Sequence, residues 1–273
     1  MKPIVTRTLS GAVYIALMLG SVLAGRFVFG AVQLLFIILC LIEYRKIASI
    51  GGITIGSLNL LAAGVLSYVV VILYLWDIWN MRYLLLIFLI IFKIILGELF
   101  LQNKHPIINI GVTLTGLFYI VLPFSILNFF YYPEMNYGFP SGSLLVGFFI
   151  IIWGNDTFAY LSGMAFGKHK LFERISPKKT WEGTIGGCVF AVIAAIVLSF
   201  IYKDFNVFEW MGFALTIIIF GTFGDLFESM IKRTIGLKDS GNIMPGHGGI
   251  LDRFDSILIA APFAYLYIVF VIN

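Results

Sequence analysis

Charge is what this sequence has least of. Of its 273 residues 18 are Lys or Arg and 14 are Asp or Glu, 12% in all, whereas 60% are hydrophobic and 27 are Phe. Soluble domains are about one-quarter charged, so the composition excludes a chain whose main solvent is water. Cysteine is nearly absent. Cys40 and Cys188 lie in separate apolar runs, with no disulfide or metal-ligand spacing, and read as small core residues. No polar stretch is long enough to bury a core of its own, which excludes a separate soluble domain. No internal repeat is evident, which counts against a transporter built from paired repeats.

What is present is a series of long apolar runs. A hydrocarbon core about 30 Å thick needs roughly 20 apolar residues per helix. Runs of that order span residues 8 to 24, 27 to 43, 58 to 76, 83 to 102, 107 to 130, 144 to 166, 181 to 202, 210 to 230 and 249 to 270. The expectation is therefore an all-α, polytopic membrane protein with about nine spans, give or take one, since the break at Arg26 also fits a single hairpin. The run from Leu9 to Gly25 is longer than a signal-peptide core and is followed at once by another helix, so an uncleaved first span fits it better.

Basic residues near helix ends are retained on the cytoplasmic side. With nine spans and the N-terminus inside, fourteen of the 18 basic residues fall on the cytoplasmic face and Arg26, Arg82 and Lys203 on the other, with Lys93 inside a span. That asymmetry predicts a multi-pass cell-membrane protein with its N-terminus in the cytoplasm. Residues 1–138 have short loops and few ionisable groups within spans, apart from Lys93 and Glu98. For Glu98, interfacial snorkelling or a helix contact is the simplest reading; Lys93 calls for a partner on another helix. Residues 139–273 hold the polar positions, so the chemistry is expected there.

Three polar clusters stand out. Asn155-Asp156-Thr157 lies within the sixth span, where an aspartate must face a partner, water or a metal rather than lipid. A bond between helices is the plainer alternative. The segment 167–182 is rich in Lys and Arg. It reads either as topology and attraction to anionic headgroups or as a clamp for phosphate oxygens. Ser176 to Thr180 looks like a turn into a helix start, with Thr180 as the cap and Lys178 and Lys179 at the mouth of a site. Gly163 to Gly167 and Gly183 to Gly187 have the small-xxx-small spacing of close helix packing, a pattern also common by chance.

The third cluster runs from Gly224 to Asp255. Asp225, Glu228 or Ser229, and Lys232 recur at steps of three and four, which places carboxylate, hydroxyl and ammonium on one helix face. Lys232 and Arg233 end that helix. A loop follows with Lys238, Asp239 and then Pro245-Gly246-His247-Gly248-Gly249 before the last span. Glycines ahead of a helix N-terminus suit a phosphate cradle of unpaired N–H groups. Asp252 and Asp255 then share one face, with Arg253 between them. Facing Asp225, they would make an oxygen-rich pocket for a hard cation such as magnesium. For each part a structural reading also exists, such as Arg253 pairing with Asp252, but so many charges at a bilayer edge are costly.

The run from Ser229 to Asp255, read as SxxKRxxxxKDxG, PGHGG and DRxD, resembles the signature of the phosphatidate cytidylyltransferases, and NDTFAYLSGMAFGKHK and SPKKTWEG resemble that family's central region. The resemblance implies transfer of CMP from CTP to phosphatidic acid, giving CDP-diacylglycerol and pyrophosphate for phospholipid biosynthesis. It further implies a magnesium ion, with or without a second, monovalent cation, in a membrane-embedded homodimer with no nucleic-acid partner. Asp225 and Asp252 are then the first metal ligands expected, with Asp255, Glu228 and Asp156 behind them. Lys178, Lys179, Lys232, Arg233, Lys238 and Arg253 would neutralise phosphates. Ser229 would orient a phosphate or ligand, Asp239 belongs to the catalytic motif, and His247, Gly248 and Gly249 would contact CTP. Other lipid phosphates, such as an ether lipid or a polyprenol phosphate, are compatible with the same motifs.

Overall fold

A computed structural model describes residues 3–53, 55–100, 105–131, 142–202, 205–246 and 248–272. Among them seven helices are long and apolar enough to cross a membrane: Arg26–Ile50, Met81–Phe100, Pro106–Phe129, Ser143–Phe166, Trp181–Ile201, Val207–Thr234 and Leu251–Val271. Two shorter apolar helices, Thr8–Ala24 and Asn59–Leu75, coincide with the other two expected runs. The polytopic helical architecture therefore holds, with seven of the expected spans reaching full length.

The chain packs as two units, residues 1–129 with 235–254, and residues 130–234 with 255–273. The first contains α1 (Pro3–Ala24), α2 (Arg26–Ile50), α3 (Ser57–Leu75), α4 (Leu86–Phe100), α5 (Pro106–Gly116) and α6 (Leu122–Phe129). Its core is aliphatic and aromatic, with Phe29, Ile37, Leu41, Leu60 and Phe124 fully buried. Phe254 plugs into it, its ring 4.8 to 5.5 Å from those of Tyr14, Phe36 and Phe124. That aromatic plug ties the residues before Asp255 to the N-terminal helices, by a contact no local sequence pattern announces. One buried polar chain is paired as a membrane interior favours: Asn128 donates to the Tyr68 hydroxyl at 3.0 Å, which donates to the Gly30 carbonyl at 2.9 Å. On α4, Glu98 accepts from Asn109 of α5 at 3.4 Å, the expected helix contact, while Lys93 lies exposed.

The second unit contains α7 (Ser143–Phe166), a hairpin of β1 (Lys170–Phe172) and β2 (Ser176–Thr180), α8 (Trp181–Ile201), α9 (Val207–Thr234) and all but the first turn of α10 (Leu251–Tyr267). The hairpin corrects the turn expected at Ser176–Thr180. These residues form an antiparallel strand, with Lys170 opposite Thr180 and Phe172 opposite Ser176. Pro177 is tolerated near the strand's start, where a missing donor costs little. Thr180 caps the next helix as expected, accepting from the Gly183 amide at 3.2 Å. Helices α7 and α8 meet through small residues: a Cβ on Gly183 would lie 3.2 Å from the Gly163 Cα, and one on Gly187 2.7 Å from the Asn155 carbonyl oxygen. The small-residue spacing is thus a real packing seam.

Candidate active site

In the second unit, the crossing of α9 and α10 gathers carboxylates. Gly224 makes it possible. A Cβ there would lie 3.1 Å from the Ser256 Cα and closer still to the Asp255 carbonyl oxygen, so a side chain would force the backbones apart. Asp225 follows immediately, and its charge acts on Asp255 together with that of Asp156, while the Lys179 ammonium opposes both. Lys179 forms an ion pair with Asp225. Ser229 donates to Asp225 at 3.2 Å, and the Ser256 amide donates to Asp255 at 2.6 Å. One turn further on, Lys232 donates to Glu228 at 2.8 Å, and both are buried. The expected face of carboxylate, hydroxyl and ammonium exists, but its ammonium group at Lys232 already has a carboxylate partner.

Asp156 is exposed, and its neighbour Asn155 is the buried residue. Consecutive residues are about 100° apart on a helix, so packing Asn155 against Gly187 turns Asp156 away from that seam. Asn155 still donates to Asp156 at 3.4 Å.

In the first unit, the loop before α10 is organised by two other carboxylates. Asp252 accepts from the Ser240 amide at 3.0 and 3.1 Å and from the Gly249 amide at 2.8 Å. Glu43 of α2 accepts from the Leu251 amide at 2.8 Å and from the Ser240 hydroxyl at 3.1 Å. Gly246 and Gly248 take left-handed backbone angles, φ 78° and 88°, and Met244 bonds back to Gly248 at 3.0 Å, closing a tight turn. His247 lies outside the described residues. The amides of Ser240, Gly249 and Leu251 are thus occupied by carboxylates, which corrects the expectation that this glycine loop presents unpaired N–H groups there to a phosphate. Gly249 serves close packing instead: a Cβ on it would lie 2.5 Å from Glu43 Oε2. Lys178, Arg233, Lys238 and Asp239 are exposed, and Arg253 is half-buried. Glu43 had no place among the candidate residues. Its one signal was a carboxylate at the very end of the expected run 27 to 43.

Comparison with known proteins bears on this arrangement. A model of the cytidylyltransferase family matches residues 5–271. The chain belongs to that family. A phosphatidate cytidylyltransferase of Staphylococcus haemolyticus is 53% identical over 116 residues, 42% of this chain and 44% of that protein. One from Staphylococcus aureus is 40% identical over 163 residues, 59% and 60% of the two chains. One from Haemophilus influenzae is 45% identical over 134 residues, 45% of each. In these matches the chain spans about half the length of the curated relatives.

The donor set around the α9–α10 crossing, with Asp156 on α7, consists of carboxylates. Asp225, Asp255 and Asp156 offer only carboxylate oxygens, the ligands hard cations take. Among the described residues no three His, Cys, Asp or Glu side chains are gathered at metal-holding distances. Lys179 meanwhile supplies positive charge to Asp225.

Proposed function

We propose that this protein is a phosphatidate cytidylyltransferase, taking CTP and phosphatidate to CDP-diacylglycerol and pyrophosphate. The carboxylate and lysine cluster at the α9–α10 crossing, in a chain of this family, carries the reading. A phosphate oxygen of phosphatidate attacks the α-phosphorus of CTP. The new P–O bond forms as the bond to the β-phosphate breaks, and the electron pair leaves with pyrophosphate. The attacking oxygen is already anionic at neutral pH, so no strong general base is required, and the main barrier is repulsion between phosphates.

Lys178, Lys179, Arg233 and Lys238 offset that repulsion, with Arg253 as a further cation, while Lys232 serves as the counter-ion of Glu228. Asp225, Asp255 and Asp156 would hold magnesium; when bound, the ion neutralises phosphate oxygens and the leaving group. Ser229 orients Asp225. The exposed side of the loop 236–249, including Lys238, meets CTP. The diacyl chains remain in the bilayer while the headgroup reaches the polar site. The basic-residue asymmetry supports a cytoplasmic N-terminus and active site, where CTP is found, and the resemblance implies a homodimer.

The reading is tested by mass spectrometry of lipid extracts after purified protein is incubated with CTP, magnesium and either phosphatidate, an ether lipid phosphate or a polyprenol phosphate. CDP-diacylglycerol from phosphatidate supports it. A nucleotide-linked product from another lipid phosphate alone changes the substrate, and no product from any of them refutes the enzyme reading.

A further inference from the structure

Glu43 reaches across the sequence to the motif loop, 197 residues to Ser240 and 208 to Leu251. Leu251 begins α10, so its N–H is among those a helix start leaves without an intrahelical acceptor. A carboxylate there is also favoured by the helix dipole. Such a cap usually comes from the residues just before the helix. Here it comes from another helix altogether, and the same oxygen, Oε2, also holds the Ser240 hydroxyl.

The surrounding packing leaves this carboxylate little freedom. Glu43 is 2% exposed. A Cβ on Gly241 would lie 2.8 Å from its carboxyl carbon, and one on Gly249 would lie 2.5 Å from Oε2, so both glycines are required for the fit. Asp252 grips the same loop from the other side through the Ser240 and Gly249 amides. Ser240 is therefore held by two carboxylates, one from α2 and one from α10. Among the described residues the second oxygen of Glu43, Oε1, has no hydrogen-bond partner. A buried charge with an idle oxygen is a poor source of net stability, which directs attention to what the other oxygen holds in place.

We propose that Glu43 is a positioning residue for nucleotide transfer, fixing the 236–250 loop and the start of α10 so that Asp252 and the exposed loop groups are presented to CTP. The inference rests on the cytidylyltransferase reading. It gives the N-terminal helices a part in the reaction.

The test compares Glu43→Ala, Glu43→Gln and Ser240→Ala in the full-length protein in detergent. Gln keeps a single oxygen able to accept both bonds; Ala removes the anchor; Ser240→Ala removes one bond and remains informative if Glu43→Ala fails to fold. The readouts are KM for CTP, KM for phosphatidate, and hydrogen exchange of the 236–251 backbone. Loss of a charge-assisted bond predicts that Glu43→Ala raises KM for CTP about tenfold or more. The expectation also includes a nearly unchanged KM for phosphatidate, faster loop exchange, a smaller effect for Ser240→Ala, and recovery of most of the loss by Gln. Equal changes in both KM values, or an unchanged KM for CTP in a folded Glu43→Ala protein, overturn the proposal. If the unmodified protein makes no CDP-diacylglycerol, the functional reading has failed, and exchange alone decides whether Glu43 anchors the loop: unchanged exchange in the variants overturns that too.

Discussion

Replacing Gly224 by Ala perturbs the crossing of α9 and α10 at one atom. The added Cβ would lie 3.1 Å from the Ser256 Cα, 3.2 Å from the Asp255 carbonyl carbon and nearer still to its oxygen. Comfortable carbon contacts begin at about 3.5 Å, so one backbone must retreat by at least about half an ångström. Backbone atoms have no rotamer to escape into, and overpacking of this kind costs about 1–3 kcal/mol. Asp225 and Asp255 sit on the two segments being separated. A misplacement of about 1 Å at a reacting centre can cost about a hundredfold in rate, so Gly224→Ala is expected to lower kcat for CMP transfer by at least about tenfold. Gly97→Ala is the control, because among the described residues no atom outside its own helix lies within 4 Å of the Cβ it adds. Transfer rates and thermal unfolding of both variants in detergent decide the matter. A Gly224→Ala protein with the rate and stability of the Gly97→Ala control would refute the geometric argument.

Other perturbations follow from the same cluster. Lys179 and Asp225 are each 28% exposed, and ion pairs of that kind contribute only about 0–1 kcal/mol. Lys179→Met should therefore leave the melting temperature almost unchanged while lowering the magnesium concentration for half-maximal metal binding, measured by calorimetry, because Asp225 loses its internal cation; a weaker magnesium affinity would contradict this. Glu228 and Lys232 form a buried pair, so Glu228→Ala should destabilise by about 3–5 kcal/mol. The Glu228→Ala, Lys232→Met double variant should recover part of that loss in thermal unfolding, and equal destabilisation of the single and double variants would show that pairing is not the cause.

The membrane helices were legible because burial in lipid demands unbroken apolar length, and runs such as 144 to 166 and 181 to 202 coincide closely with α7 and α8. The order along α9 was legible for a local reason: side chains three and four apart meet on a helix, as Ser229 with Asp225 and Lys232 with Glu228 show. Contacts between distant segments were not. Glu43 closes on Ser240 and Leu251 through tertiary packing alone, and a span ending at residue 43 makes it look like an interfacial residue. Helix α2 instead continues to Ile50, which leaves Glu43 inside. Asp156 shows the same limit at one residue: periodicity places it on a helix, but the face that packs is chosen by Gly187 on α8. The glycine loop was recognisable as a motif, yet the occupants of its amides, Asp252 and Glu43, depend on partners that local sequence does not specify.

The most direct measurement of the central claim is pyrophosphate release from CTP by purified protein in detergent, with and without phosphatidate and magnesium, beside an Asp225→Asn variant. The account predicts release that requires all three components and is lost in the variant. Release unaffected by Asp225→Asn would contradict the assignment of the site, and no release under any of these conditions would contradict the proposed reaction.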